Sequence, residues 1–312
     1  MLATSRSTAA AAASLGRAHA RRDESGEAGL MRPSSLAVIG LGAIGGSLAW
    51  RARQAGIPRV VGFAKSRVDG VQALKASAIT DLADTPEQAI SGAQLVVLAV
   101  PPQATLDLIG KLGASLEPGA LLTDVCSVKA PIVACALSHG LGRSFAGGHP
   151  LAGTHASGFV AATPNRLRGC SVYVCETGAP EGDQAARGVM RFWEDVMEAS
   201  PILIDAGAHD RQLAWTSHLP QSVASALAKA LADRGLAGLS FGSGARDTTR
   251  LAASSPELWI DILLYNRDAV AEAISDTEAR LAELRGLILS RDADGLRRYL
   301  TTAQSFREGL DR

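Results

Sequence analysis

Gly40, Gly42 and Gly45 stand in G-x-G-x-x-G spacing inside LAVIGLGAIGG, residues 36–46. That spacing suits a phosphate-binding turn. Gly40 lets the chain leave a strand sharply, Gly42 lets a pyrophosphate approach the backbone, and Gly45 lets the next helix pack close. The first helical residues, Ala43 and Ile44, then present free N–H groups and the positive helix end to the phosphates. Two further segments lie at strand ends: Asp124-Val125-Cys126-Ser127-Val128-Lys129, and Gly147-Gly148-His149-Pro150. Ligands of open α/β sheets bind outside the carboxyl ends of the strands. His149 and Ser127 are therefore expected to face one crevice, with Val100 and Pro101 closing a third strand beside the cofactor.

Cofactor choice in such a fold rests on the end of the second strand, where an Asp or Glu accepts from the ribose and repels a 2′-phosphate. Here Gly62-Phe63 is followed by Ala64, and then by Lys65, Ser66 and Arg67. Two cations and a hydroxyl in place of the acid suit a 2′-phosphate, so NADP is expected to be preferred over NAD.

The elements that must position these residues follow from the apolar pattern. Strands are expected at Leu36–Ile39, Arg59–Phe63, 94–100, 120–125, 144–148, Cys170–Cys175 and 201–205, with helices between them. Such alternation predicts a doubly wound, mostly parallel Rossmann-type sheet. Beyond about Ala206 no strand signal follows. Apolar spacing over 210–234, a helix starting at Pro256 and running past Tyr265 and Val270, and amphipathic stretches at 278–289 and 294–308 predict an all-helical C-terminal domain. The expected domains are 34–206 for the dinucleotide and 207–312 for substrate and dimerisation, since the helical faces carry more apolar surface than one subunit covers.

Composition excludes several classes. The 312 residues carry a formal net charge of zero, which argues against a nucleic-acid partner or an anionic membrane surface. No apolar run approaches a membrane span. Cys126, Cys135, Cys170 and Cys175 form no C-x-x-C pair, and they read as reduced thiols of a cytoplasmic protein, with no metal site. Residues 1–33 are Ala- and Ser-rich at first and then polar, a transit-like leader or, on the favoured reading, an extension ahead of a start at Met31.

The segments GLGAIGGSLA (40–49), DVCSVK (124–129), GGHPLAGTHASG (147–158), the His209-Asp210 pair, SHLP (217–220), RDTTRLA (246–252), SPELW (255–259) and Tyr265-Asn266 together resemble the prephenate/arogenate dehydrogenase family, the cyclohexadienyl dehydrogenases of tyrosine biosynthesis. The resemblance implies an oxidative decarboxylation. A hydride leaves a carbinol carbon for the nicotinamide, the ring carboxylate leaves as carbon dioxide, and the ring becomes aromatic. The site must polarise one hydroxyl and hold one or two carboxylates. The resemblance assigns the hydroxyl proton to His149, whose neutral imidazole can accept it. It assigns Ser127 to sharing that hydrogen bond or orienting the ring, and Arg250 to a substrate carboxylate. It also places His218 in the cleft, and it implies a homodimer through the helices.

Two departures from the family pattern bear on substrate. Gln221 stands where many relatives carry a second His in H-L-P-H. Ser254 and Ser255 are neutral where an acid would favour the amine of arogenate, which leans the reading toward prephenate and leaves arogenate, or use of both, as the alternative. A β-hydroxyacid dehydrogenase would need a helical Lys with Asn four residues later, whereas Lys229 is followed at that spacing by Asp233. A non-catalytic NADP sensor would need no proton acceptor.

Overall fold

The computed structural model describes residues 32–153, 157–179, 182–235 and 240–310; all but the last two residues of the expected leader lie outside them. The chain opens with β1 (Ser35–Ile39), all five residues buried. Its side chains alternate between two cores. Leu36 and Val38 pack on one face, Ala37 and Ile39 on the other, as a strand buried on both sides requires. Then follow α1 (Ala43–Gln54), β2 (Arg59–Phe63), α2 (Arg67–Lys75), β3 (Asp81–Leu82), α3 (Pro86–Ile90), β4 (Leu95–Leu98), α4 (Pro102–Leu112), β5 (Leu121–Asp124), α5 (Ala130–Ser138) and β6 (Phe145–Pro150). β7 (Ser171–Cys175), α6 (Gly182–Asp195) and β8 (Ser200–Leu203) complete the sheet.

Its order is β3-β2-β1-β4-β5-β6-β7-β8. The pairs from β3 to β6 are parallel, β6 pairs antiparallel with β7, and β7 pairs parallel with β8. β1 and β4 are adjacent, and the strand order reverses there, which opens the crevice where a dinucleotide lies. Residues of α1, α2 and α6 join one core, and residues of α3, α4 and α5 join the other. α6 buries Ala185, Ala186, Val189, Phe192 and Trp193, one stripe at helical spacing.

Beyond β8 the described chain is helical: α7 (Ala206–Leu213), a π-helical turn (Ala214–His218), α8 (Leu219–Asp233), α9 (Ser243–Thr249), α10 (Pro256–Tyr265), α11 (Arg267–Ser290) and α12 (Ala293–Gly309). Asp205 caps α7 by accepting from the Ala208 N–H at 2.8 Å, which marks the change from sheet to helices.

Two local expectations are corrected, and two features go beyond the sequence reading. β6 extends to Pro150, so His149 lies within the strand, opposite Tyr173 of β7, and not beyond its end. The helix expected to run past Tyr265 breaks at Asn266 (φ −116°, ψ 29°) into α10 and α11, where the Asn266 side chain is buried and hydrogen-bonded. Residues 77–93 carry no strong periodicity yet form β3 and α3; a two-residue strand is too short to show a period. The Lys65-Ser66-Arg67 stretch is no open loop. Ser66 is the N-cap of α2, its Oγ accepting from the Asp69 N–H at 3.3 Å, and Arg67 is the first helical residue.

Candidate active site

The glycine turn is built as its spacing requires. Gly40 has φ +102°, and a Cβ there would overlap the Ala99 carbonyl oxygen. A Cβ on Gly45 would overlap the Gly40 carbonyl oxygen, so α1 packs directly on the turn. Gly42, the N-cap of α1, has no atom within 4 Å of an added Cβ. Space in front of Gly42, at the N-terminus of a helix that begins with Ala43 and Ile44, fits a pyrophosphate. Across the strand reversal, Val100 and Pro101 link β4 to α4. At the far end of β2, a cavity of about 280 Å³ is lined by Phe63, Ala64, Lys65, Arg67, Leu82 and Asp84. Its position suits the adenosine end. Arg67 is already engaged there, its Nη1 2.8 Å from Asp84 Oδ1.

Beside the crevice a closed circuit of buried polar groups surrounds His149. Asp124, at the end of β5, accepts from the Gly148 N–H (3.2 Å), the Cys126 N–H (2.9 Å) and the Lys129 ammonium. Lys129 Nζ also donates to the Gly148 carbonyl at 2.8 Å, and both charged side chains are fully buried. A buried ion pair contributes little net stability. Here it clamps the residue that precedes His149 on both its N–H and its C=O. Asp210, carried by α7, accepts from the Lys129 and Ala130 N–H groups at 2.7 and 2.8 Å and so caps α5. Asp210 Oδ1 also lies 2.8 Å from His209 Nδ1, and His209 Nε2 lies 2.9 Å from His149 Nδ1.

These contacts determine the tautomers. A carboxylate only accepts, so His209 donates from Nδ1 and, when neutral, accepts at Nε2. His149 must then donate from Nδ1, which leaves the lone pair on its Nε2 free for a proton. Burial, with His209, Lys129 and His218 nearby, holds the His149 pKa well below its usual 6.5. Burial also lowers His209, while Asp210 opposes that shift.

His218 is set by Asn266. The Asn266 amide nitrogen donates to the Asp210 carbonyl at 2.7 Å and to His218 Nδ1 at 3.1 Å. The His218 proton therefore sits on Nε2, a buried atom with no hydrogen-bond partner of good geometry among the described residues, while the Ser127 backbone lies near the ring. Burial lowers His218 to about 4. A neutral ring presenting an unused N–H is suited to an oxygen of an anionic ligand. His218 closes the π-helical turn, a local departure from α geometry that recurs at functional sites.

Among the residues expected from sequence, His149, His218 and the Ser127 backbone come together around this circuit. The partner at His149 Nδ1 is His209; orienting the ring is one of the two tasks the resemblance gives Ser127, the other being to share the hydroxyl's hydrogen bond. Gln221, one turn beyond His218, is buried; its amide nitrogen donates to Ser225 Oγ at 3.3 Å, while its Oε1 has no partner among the described residues. The circuit is built without Arg250, which is exposed on a short turn, Arg250–Ala253, following α9. Near it, Ser255 Oγ donates to Glu257 at 2.8 Å, so the segment holding Ser254 and Ser255 is not free of acid. Asp124, Lys129 and Asn266 lie in segments that carry the resemblance, DVCSVK and Tyr265-Asn266, but the sequence reading gave them no role; that role depends on contacts such as Lys129 to Gly148, 19 residues apart, and Asn266 to Asp210, 56 apart.

Comparison with known proteins bears on the family and the fold. Residues 48–200 match the family model described as prephenate dehydrogenase, nucleotide-binding domain, and residues 205–302 match prephenate dehydrogenase, dimerization domain. The chain is similar to a prephenate dehydrogenase of Bacillus subtilis (34% identity over 289 residues, 88% of this chain and 76% of the relative). Among solved structures it is similar to prephenate dehydrogenase from A. aeolicus in complex with hydroxyphenyl propionate and NAD+ (TM-score 0.82, 29% identity, 88% and 98% of the two chains). It is also similar to Synechocystis arogenate dehydrogenase (TM-score 0.74, 30% identity, 88% and 99%).

Proposed function

The chain belongs to the prephenate dehydrogenase family, and from that premise we propose that it converts prephenate to 4-hydroxyphenylpyruvate by NAD(P)-dependent oxidative decarboxylation, with residues 34–206 holding the dinucleotide and residues 207–312 the substrate. The observation that carries this reading is the His149 tautomer, held by His209 and Asp210, with Nε2 left as a proton acceptor. A non-catalytic sensor would have no use for such a base.

The bound dinucleotide supplies the hydride acceptor. His149 Nε2 takes the proton of the ring hydroxyl as the hydride leaves the same carbon. The electron pair of the bond to the departing carboxylate enters the ring, carbon dioxide is released, and the proton held on His149 Nε2 returns to the ring oxygen to give the phenol. The imidazolium so formed is supported through His209 by the Asp210 carboxylate, the logic of an acid–histidine pair extended by one ring. His218 Nε2–H and Arg250 hold the substrate's carboxylates, and Ser127 shares the hydroxyl's hydrogen bond.

A second reading, use of arogenate, is favoured by Gln221, whose buried Oε1 is an acceptor without a partner among the described residues and would suit an ammonium group. We also infer that NADP is preferred, on the absence of an acid at Ala64, the presence of Lys65 and Arg67 at the same cavity, and Ser66 between them in the chain. Homodimerisation through the helices is supported by the dimerization-domain match and by exposed Leu264, Leu281, Leu289 and Phe306. No helix among the described residues is long and apolar enough to cross a membrane, and four free cysteines suit the cytoplasm. The test is reduction of NADP+ and of NAD+, followed by absorbance, with prephenate and then with arogenate. No reduction with either acid would overturn the assignment.

A further inference from the structure

The acid absent from the end of β2 has a counterpart on the neighbouring strand. β2 and β3 pair in parallel with Val61 opposite Asp81 and Gly62 opposite Leu82. The Ala83 N–H donates to the Gly62 carbonyl at 2.9 Å, which continues the ladder. Carried forward, that register sets Asp84 beside Ala64, level with the position an acid would occupy on β2. The Asp84 backbone is held there by α3. Its N–H donates to Gln88 Oε1 at 3.1 Å, while the Gln88 N–H donates to Thr85 Oγ1 at 3.2 Å. The carboxylate lines the same cavity as Lys65 and Arg67 and pairs with Arg67 at 2.8 Å.

We propose that Asp84 determines cofactor specificity at this cavity, doing from β3 what a β2 acid does elsewhere: it accepts from an unmodified ribose and competes with a 2′-phosphate for Arg67. The proposal rests on the reading that this cavity receives the adenosine ribose. Its physics is simple. A 2′-phosphate gains from Lys65 and Arg67, but it must draw Arg67 away from Asp84 and then sit beside a like charge. Asp84 and Arg67 are both about three-quarters exposed (73% and 72%), so water screens the pair and it exchanges partners readily. The outcome is a cofactor preference that leans to NADP without excluding NAD.

The test is binding, measured by titration calorimetry without substrate. The probes are adenosine 2′,5′-bisphosphate and AMP, on wild type, Asp84→Asn, Arg67→Ala and the double variant. Asp84→Asn should tighten the bisphosphate roughly 3- to 10-fold and leave AMP unchanged or slightly weaker. The gain should shrink in high salt and be smaller, though not lost, when the double variant is compared with Arg67→Ala, because the competition for Arg67 is then gone and the like-charge repulsion remains. A bisphosphate-to-AMP ratio unmoved within about twofold, or a bisphosphate bound more weakly by Asp84→Asn, overturns the role of Asp84. If the bisphosphate and AMP both fail to bind and fail to compete with NAD+ or NADP+, the adenosine reading of the cavity falls as well, an outcome distinct from an unmoved ratio.

Discussion

His209 Nε2 lies 2.9 Å from His149 Nδ1, across 60 residues of chain. That hydrogen bond, with Asp210 behind it, decides which nitrogen of His149 is free. Without it the ring could carry its proton on either nitrogen, and one tautomer would present an N–H to the substrate hydroxyl where an acceptor is needed. Orientation and tautomer thus come from α7, a helix outside the strand that carries His149.

His149→Asn is expected to keep dinucleotide binding and to lower kcat by roughly 10²- to 10⁴-fold, the range for loss of a general base. Steady-state kinetics and cofactor titration on the same preparation check this. Normal turnover would remove His149 from the chemistry.

The pH dependence has a definite sign. The base must be neutral to act, and burial lowers His149, so the acid limb of kcat/KM should fall below pH 6.5, not at it. Stability should follow the same groups. His149, His209 and His218 are all lowered in the folded state, so below about pH 6.5 the unfolded chain binds protons that the folded chain refuses. Each such histidine costs up to about 1.4 kcal/mol per pH unit as pH falls from 6.5, until its folded pKa is reached, about 4 for His218. Denaturant midpoints at pH 7.5, 6 and 5 test this; a flat profile from 7.5 to 5 would contradict it.

Arg250→Ala should act on substrate and spare cofactor. Loss of a charge-assisted hydrogen bond to a carboxylate costs about 1.5–3 kcal/mol, roughly 10- to 150-fold in kcat/KM. The change should appear mainly in KM for prephenate, with KM for NADP unaltered. Equal losses for both would indicate damage to the helical region.

Replacing Lys65 and Arg67 together by Ala should reduce kcat/KM for NADP roughly 10- to 100-fold and leave NAD nearly unchanged, since each exposed cation contributes about 1 kcal/mol. Added salt should narrow the difference. A wild type that prefers NAD, or a double variant that loses both cofactors equally, would refute the 2′-phosphate reading.

What could be read from the linear chain was what is local. The turn at Gly40, Gly42 and Gly45 is specified by residues within six positions, because the lack of a Cβ and the start of a helix are properties of that segment alone. Strands buried on both faces, such as Leu95–Leu98, announce themselves as apolar runs for the same reason. His149 was visible as a polar residue at a strand end, but not its partner. Which imidazole faces it, and hence which nitrogen is free, required β6 and α7 to be packed together. The break at Asn266 was hidden because α10 and α11 share one helical pattern, and the contacts of its side chain with the Asp210 carbonyl and His218 Nδ1 exist only in the folded chain. Asp84 was hidden for a related reason. β3 is two residues long, too short for any period, and the carboxylate gains its meaning from a register with β2 that exists only in the folded sheet. Hydrogen bonds between residues distant in the chain leave no periodic trace in sequence, so the tertiary structure alone decided them.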